Sequence, residues 1–86
     1  MELRHLKYFQ TVAKEGSFTK AAEKLSMSQP PLSRQIKDLE NELGVMLFRR
    51  KYRGLELTKE GEMFLAYADE IIALTMTAIK KVHRVK

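Results

Sequence analysis

The sequence contains no cysteine and no tryptophan, two prolines and four scattered glycines in 86 residues. Without cysteine there are no disulfides and no thiolate metal sites. Scattered glycines form no phosphate-cradling loop. The two histidines, His5 and His83, lie at opposite ends and make no zinc-binding pair. His5 reads as a surface or half-buried polar residue. Ser17, Ser26, Ser28 and Ser33 have no base within motif reach, so hydrolytic chemistry has no nucleophile pair and no enzyme is expected. Long apolar runs are also missing. The least charged stretch, "MFLAYADEIIALTMTAI", is interrupted by Asp69 and Glu70 and is too polar to span a bilayer. These absences lead us to expect a soluble, cytoplasmic protein with no membrane partner, no metal and no cofactor in this chain.

What the sequence has is positive charge and helical periodicity. Sixteen Lys and Arg against eleven Asp and Glu give a net charge of +5. That balance favours a polyanionic partner, and "RRKYR" at 49–53 concentrates it. A chain this short makes one domain at most and buries a modest core.

Leu3, Leu6, Phe9, Val12 and Ala13 recur at helical spacing and predict a first helix over about 2–15, stopped by Gly16. Thr19 is expected to cap a short second helix whose inner side carries Ala21, Ala22 and Leu25. After a short link, Ser28 is expected to cap a third helix with Leu32, Ile36, Leu39 and Leu43 as its buried stripe and Gly44 as its end. Pro30 and Pro31 then fall in the first turn. Backbone N–H groups there have no intrahelical partner, so proline removes nothing the helix needs.

"LFRRKYRGLELT" shifts to a period of two. It predicts strands at about 47–50 and 55–57, with Phe48 inward, a tight turn at Gly54 and a basic loop between. Thr58 is expected to cap a fourth helix over about 59–84. Such a helix is roughly 38 Å long and must project past a core this small. It carries two apolar stripes. Leu65, Ala68, Ile72, Thr75, Ile79 and Val82 form a heptad-like seam, expected to bind a second copy of the chain. Phe64, Tyr67, Ile71, Leu74 and Ala78 form the adjacent stripe. One face covers the domain's own core and the other needs a partner. The five methionines read as scattered core or groove fillers, and most aromatics read as inward, with Tyr52 the main exception.

Opposite the buried stripe of the third helix lie Pro30, Arg34, Lys37 and Asn41, bordered by Ser33. Asp38, Glu40 and Glu42 fall outside that sector. This strip is either an ordinary solvated face or a surface that enters a DNA major groove. In the second case Arg34 suits the O6/N7 edge of guanine, Gln29 suits adenine, and the prolines pack on thymine methyls. Ser33 and Lys37 would hold phosphates. Helix, turn, helix and basic hairpin together make a helix-turn-helix with a wing, and Arg53 is best placed to reach from that wing. A winged domain that binds protein or RNA is the alternative.

The segment "LRHLKYFQTVAKEGSFTKAAEKLSMSQPPLSRQIKDLENELGVMLFRRKYRGLELTKEG" resembles the N-terminal domain of the LysR-type transcriptional regulators of bacteria. "GSFTKAAEKL", "SQPPLSRQI.DLE.ELG..LF.R" and "L.LT..G" carry the resemblance. It implies a mostly α fold: a winged helix-turn-helix of three helices plus a β-hairpin wing over 1–58, then a dimerisation helix over 59–86. It implies double-stranded DNA binding by a dimer that reads an inverted repeat. Gln29, Pro30, Pro31 and Arg34 match base-facing positions. Ser33 and Lys37 match backbone-facing positions, with Thr19, Lys20, Ser28 and Arg50 as further phosphate contacts. Arg53 matches the residue that approaches the minor groove. "MELRHLKYF" and "QPPLSRQ" are similar to members that control catabolism of aromatic compounds. The resemblance also implies an effector-binding domain beyond Lys86, so the chain reads as a fragment of a longer regulator, with a stand-alone DNA-binding piece as the alternative. A small-molecule inducer is expected only for that domain, with a tetramer and RNA polymerase as further expected partners of the whole protein.

Overall fold

Three side chains of the first helix, Leu6, Phe9 and Val12, lose nearly all contact with solvent, and the rest of the chain is arranged around them. In the computed structural model, which describes residues 1–85, the order is α1 (Leu3–Glu15), α2 (Phe18–Lys24), α3 (Gln29–Leu43), β1 (Phe48–Lys51), β2 (Gly54–Leu57) and α4 (Lys59–Val85). Helix α1 packs on α2, α3 and α4 and touches β2. Ala21 and Ala22 of α2 and Leu32, Ile36 and Leu39 of α3 complete the centre of the core. Small residues on α2 let the helices approach closely. An aromatic cluster closes the wing side: the Phe9 ring lies 5.3 Å from both Phe48 and Phe64, and Phe18 lies 6.1 Å from Phe48. Glycines 16 and 44 end α1 and α3 in left-handed turns, as expected.

The strands pair antiparallel with Phe48 opposite Leu57 and Arg49 opposite Glu56. They sit one residue off the expected bounds. Leu47 is wholly buried ahead of β1, the turn is Tyr52–Arg53, and Gly54 begins β2. Gly54 is needed for close approach: a Cβ there would lie 2.9 Å from the carbonyl of Gly16. The neighbouring Leu55 N–H donates to that same carbonyl at 3.2 Å. The hairpin is thereby pinned to the corner between α1 and α2.

A second joint fixes the hairpin's base. The Glu40 carboxylate, 8% exposed, accepts N–H groups from Leu47 at 2.7 Å and Phe48 at 3.3 Å. Thr58 Oγ donates to the Met46 carbonyl at 2.6 Å and accepts from Gly61 N–H at 2.9 Å, so Thr58 caps α4 as expected.

Two expected caps are corrected. Thr19 lies inside α2; Ser17 is the cap, extended at φ −162°, with its hydroxyl accepting from Lys20 N–H at 3.2 Å. Ser28 occupies the cap position of α3 but its side chain caps nothing. The N–H groups that such a hydroxyl would accept belong to the second and third helical residues. Here those are Pro30 and Pro31, which have none.

Helix α4 runs past the core, and the molecule is 50 Å long in its greatest dimension. Its first half belongs to the packed unit of residues 1–58: Ala68 is wholly buried, Phe64, Leu65 and Ile72 pack on the core, and Gln10 on α1 donates to Asp69 at 2.6 Å. No described helix is long and apolar enough to cross a membrane. Of the methionines Met27 packs against the core, Met46 and Met63 are exposed but line clefts, and Met1 and Met76 are exposed. Tyr67 joins Tyr52 among the exposed aromatics.

Candidate nucleic-acid interface

Burying Leu32, Ile36 and Leu39 fixes the rotation of α3 and turns Pro30, Pro31, Arg34, Lys37 and Asn41 to solvent. Arg34 and Lys37, three residues apart, share this face. Gln29 and Ser33 lie half-buried at its edge, joined by a hydrogen bond of 2.6 Å from Gln29 Nε2 to Ser33 Oγ. That bond uses one amide hydrogen. Among the described residues the second hydrogen and the carbonyl oxygen have no partner, and they are the pair an adenine edge requires.

Between α3 and the hairpin runs a cleft of about 470 Å³ whose lining includes Ser33, Lys37, Met46, Arg49 and Arg50. A second cleft of about 280 Å³ is lined in part by Ser17, Thr19, Gln29, Arg50 and Tyr52. Arg50 borders both. The fold therefore brings together Thr19 of α2, Gln29, Ser33 and Lys37 of α3, and Arg50 of β1, from three different elements. Lys20 and Ser28 are exposed but line neither cleft. Ser28 keeps its hydroxyl free because the prolines after it offer no N–H. Arg53 stands at the hairpin tip, its guanidinium 5.9 Å from the centre of the Tyr52 ring.

Charge on this side is sorted by partner. Among the described residues Lys20, Arg34, Lys37, Arg50 and Arg53 form no ion pair. Of the exposed acids on α3, Glu42 is held by the chain's amino terminus at 2.9 Å. Arg49 and Lys51 instead meet Glu56, at 2.9 and 3.0 Å. Sequence reasoning missed Glu56, although the strand register sets it directly across from Arg49. Hydrogen bonds from Arg49 first and Lys51 second hold its carboxyl below the usual carboxylate range.

A lowered folded-state pKa means that the unfolded chain takes up its proton first as pH falls. The contribution is whole above the ordinary carboxylate value of 4.5 and is lost as pH drops through the lower folded value. The hairpin amides should accordingly exchange faster below about pH 4 than at pH 6 after correction for intrinsic rates. Glu56→Gln should flatten that component. Equal pH dependence in parent and variant would show that the carboxylate is not held.

The stripe expected to bind a second copy is corrected in its first half. Ala68 is wholly buried and Leu65 and Ile72 pack against the chain's own core, so Ala68 has no surface left for a partner. The adjacent stripe is the open one: Tyr67, Ile71 and Leu74 are exposed by 59%, 43% and 70%. Further along, beyond the core, Ile79 and Val82 are exposed and Thr75 is half-buried.

A helix-turn-helix with a cationic outer face and a pinned basic hairpin defines a winged DNA-binding domain. Residues 3–62 match the family described as bacterial regulatory helix-turn-helix protein, lysR family. The chain belongs to the LysR family and carries its DNA-binding domain. It is 57% identical over 81 residues to the HTH-type transcriptional regulator BudR of Klebsiella aerogenes, covering 94% of this chain and 57% of that protein. It is 55% identical over 73 residues to the HTH-type transcriptional regulator BenM of Acinetobacter baylyi, covering 85% of this chain and 24% of that protein. The chain thus spans about half, or a quarter, of these curated relatives. Among solved structures, the BenM DNA-binding domain in complex with catB site 1 DNA superposes with a TM-score of 0.96 at 48% identity, covering 99% of this chain and 96% of that one. The CbnR DNA-binding domain in complex with DNA superposes at 0.93 with 44% identity, covering 99% and 98%.

Proposed function

We propose that this chain reads operator DNA as a homodimer, as part of a cytoplasmic transcriptional regulator. α3 enters the major groove and the hairpin lies along the backbone and minor groove. The observation that carries this is the set of exposed cations without ion partners among the described residues, Arg34, Lys37, Arg50 and Arg53, gathered around Gln29 and the proline tip. Arg34 forks onto the O6 and N7 of guanine, Gln29 pairs with adenine, and Pro30 and Pro31 pack on thymine methyls. Lys37, Ser33, Thr19, Lys20, Ser28 and Arg50 hold phosphates and set register. Arg53 reaches the minor groove.

The dimer forms through the exposed stripe of α4. Tyr67, Ile71, Leu74 and Ala78 supply the seam, continued by Ile79 and Val82. Glu60 and Glu62 lie at one end of the helix and Lys80, Lys81 and Arg84 at the other. Antiparallel pairing of two such helices sets opposite charges side by side; parallel pairing sets like charges together.

Substitutions on α3 test the reading. Arg34→Ala should weaken specific binding by about 1–3 kcal/mol and relax base preference at one position of each half-site. Lys37→Ala should weaken binding to all sequences about equally and make the salt slope shallower by about one unit. Titrations against a panel of single-base operator variants at several salt concentrations separate the two. An unchanged base preference removes Arg34 from base reading, and a loss confined to one sequence removes Lys37 from the backbone.

A further inference from the structure

The hairpin carries four cations, yet two of them are already occupied. Residues 49 and 51 alternate along β1 and so share one face of the strand. Glu56 stands on that face, directly across from Arg49. Its Oε1 accepts from Arg49 Nε at 2.9 Å and its Oε2 meets Lys51 Nζ at 3.0 Å. One carboxylate thus engages both cations, one oxygen each. Arg50 lies on the opposite strand face, and Arg53 lies in the turn; neither has an ion pair among the described residues.

We propose that Glu56 is a positioning residue that withholds Arg49 and Lys51 from the phosphate backbone, so that the wing engages DNA through Arg50 and Arg53. This rests on the DNA-reading function proposed above. Each cation set on a phosphate releases counterions and adds affinity for every sequence alike. A wing with four free cations would hold the protein on arbitrary DNA, which competes with the operator for it. Tying up two of them keeps non-specific binding low and leaves base contacts a larger share of the total. The register explains why a single residue suffices: positions 54 and 56 share the face of 49 and 51, and Gly54 has no side chain, which leaves Glu56 to meet both.

The test is the salt dependence of binding to a random-sequence duplex and to a selected operator. It compares the parent chain with Glu56→Gln, with Arg49→Ala/Lys51→Ala, and with Arg50→Ala. Glutamine keeps the side-chain shape, and exposed ion pairs add little stability, so the fold should survive the change. Glu56→Gln should steepen the slope of log K against log salt by up to about two units and tighten binding to the random duplex. Arg49→Ala/Lys51→Ala should leave the slope unchanged, whereas Arg50→Ala should make it shallower by about one unit. If Glu56→Gln leaves the slope where it was, Glu56 withholds nothing. If the double substitution flattens the slope as Arg50→Ala does, Arg49 and Lys51 already sit on phosphates. Either result overturns the proposal with DNA binding intact. A parent chain that shows no salt-dependent binding at all overturns the DNA reading itself.

Discussion

Gly61→Ala should lower the melting temperature by about 10 °C or more, although alanine normally strengthens a helix. At an open helical position that replacement gains about 0.5–1 kcal/mol. Gly61 is buried, and a Cβ there would run into the Leu47 carbonyl and meet Leu57 Cδ2 at 3.0 Å. The carbonyl cannot step aside cheaply. It accepts from Thr58 N–H at 3.0 Å, and the Leu47 N–H is itself held by the buried carboxylate of Glu40. Overpacking of this kind costs about 1–3 kcal/mol and more where backbone must move. For a domain of this size each kcal/mol is worth about 4–8 °C. The same shift would move the base of the hairpin, so operator affinity should fall with stability. Thermal unfolding followed by circular dichroism checks the first effect. A rise of a few degrees would mean that α4 does not rest on the segment ahead of β1.

Leu74→Glu should convert dimers to monomers while leaving the monomer folded. Leu74 is 70% exposed in the single chain, so the substitution removes no contact from the core. In an antiparallel pair of α4 helices the new carboxylates would be desolvated near the middle of the seam, which is strongly unfavourable. Losing the second subunit converts a bivalent reader into a monovalent one, and avidity of about 10²–10⁴ goes with it. Sedimentation equilibrium reads the mass directly. An unchanged mass for parent and variant would put the interface elsewhere. Ile72 is the wrong position to probe, because it packs against the chain's own core and its replacement would damage the fold.

The choice between positions 72 and 74 marks the limit of periodicity. Spacing along α4 revealed two apolar stripes, and both were sound. Nothing in spacing says which of two adjacent stripes meets the chain's own core; that depends on how α4 leaves the hairpin, fixed by Thr58, Gly61 and Leu47 together. Helices α1 and α3 were legible because each has a single stripe and a glycine stop. The solvent-facing side of α3 followed directly, since burying Leu32, Ile36 and Leu39 leaves one rotation for Arg34 and Lys37.

Glu40 and Glu56 were not legible in the same way. An acid at the edge of an apolar stripe reads as solvated until two unpaired N–H groups from another segment arrive to meet it, as Leu47 and Phe48 do for Glu40. Glu56 looked like the polar residue of an alternating strand; its role depends on the cross-strand register, which sets it opposite Arg49 and which strand bounds alone do not state. Ser28 teaches the opposite lesson. Its failure to cap was written in the sequence, because the two residues whose N–H groups it would accept are both prolines.

The most direct measurement is selection of random duplexes by this chain at near-physiological salt, followed by sequencing. A dimeric reader with α3 in the groove should enrich an inverted repeat with half-sites about one or more helical turns apart. The same selection with Arg34→Ala should lose the preference at one position of each half-site. Binding that enriches no sequence would contradict sequence reading by this face.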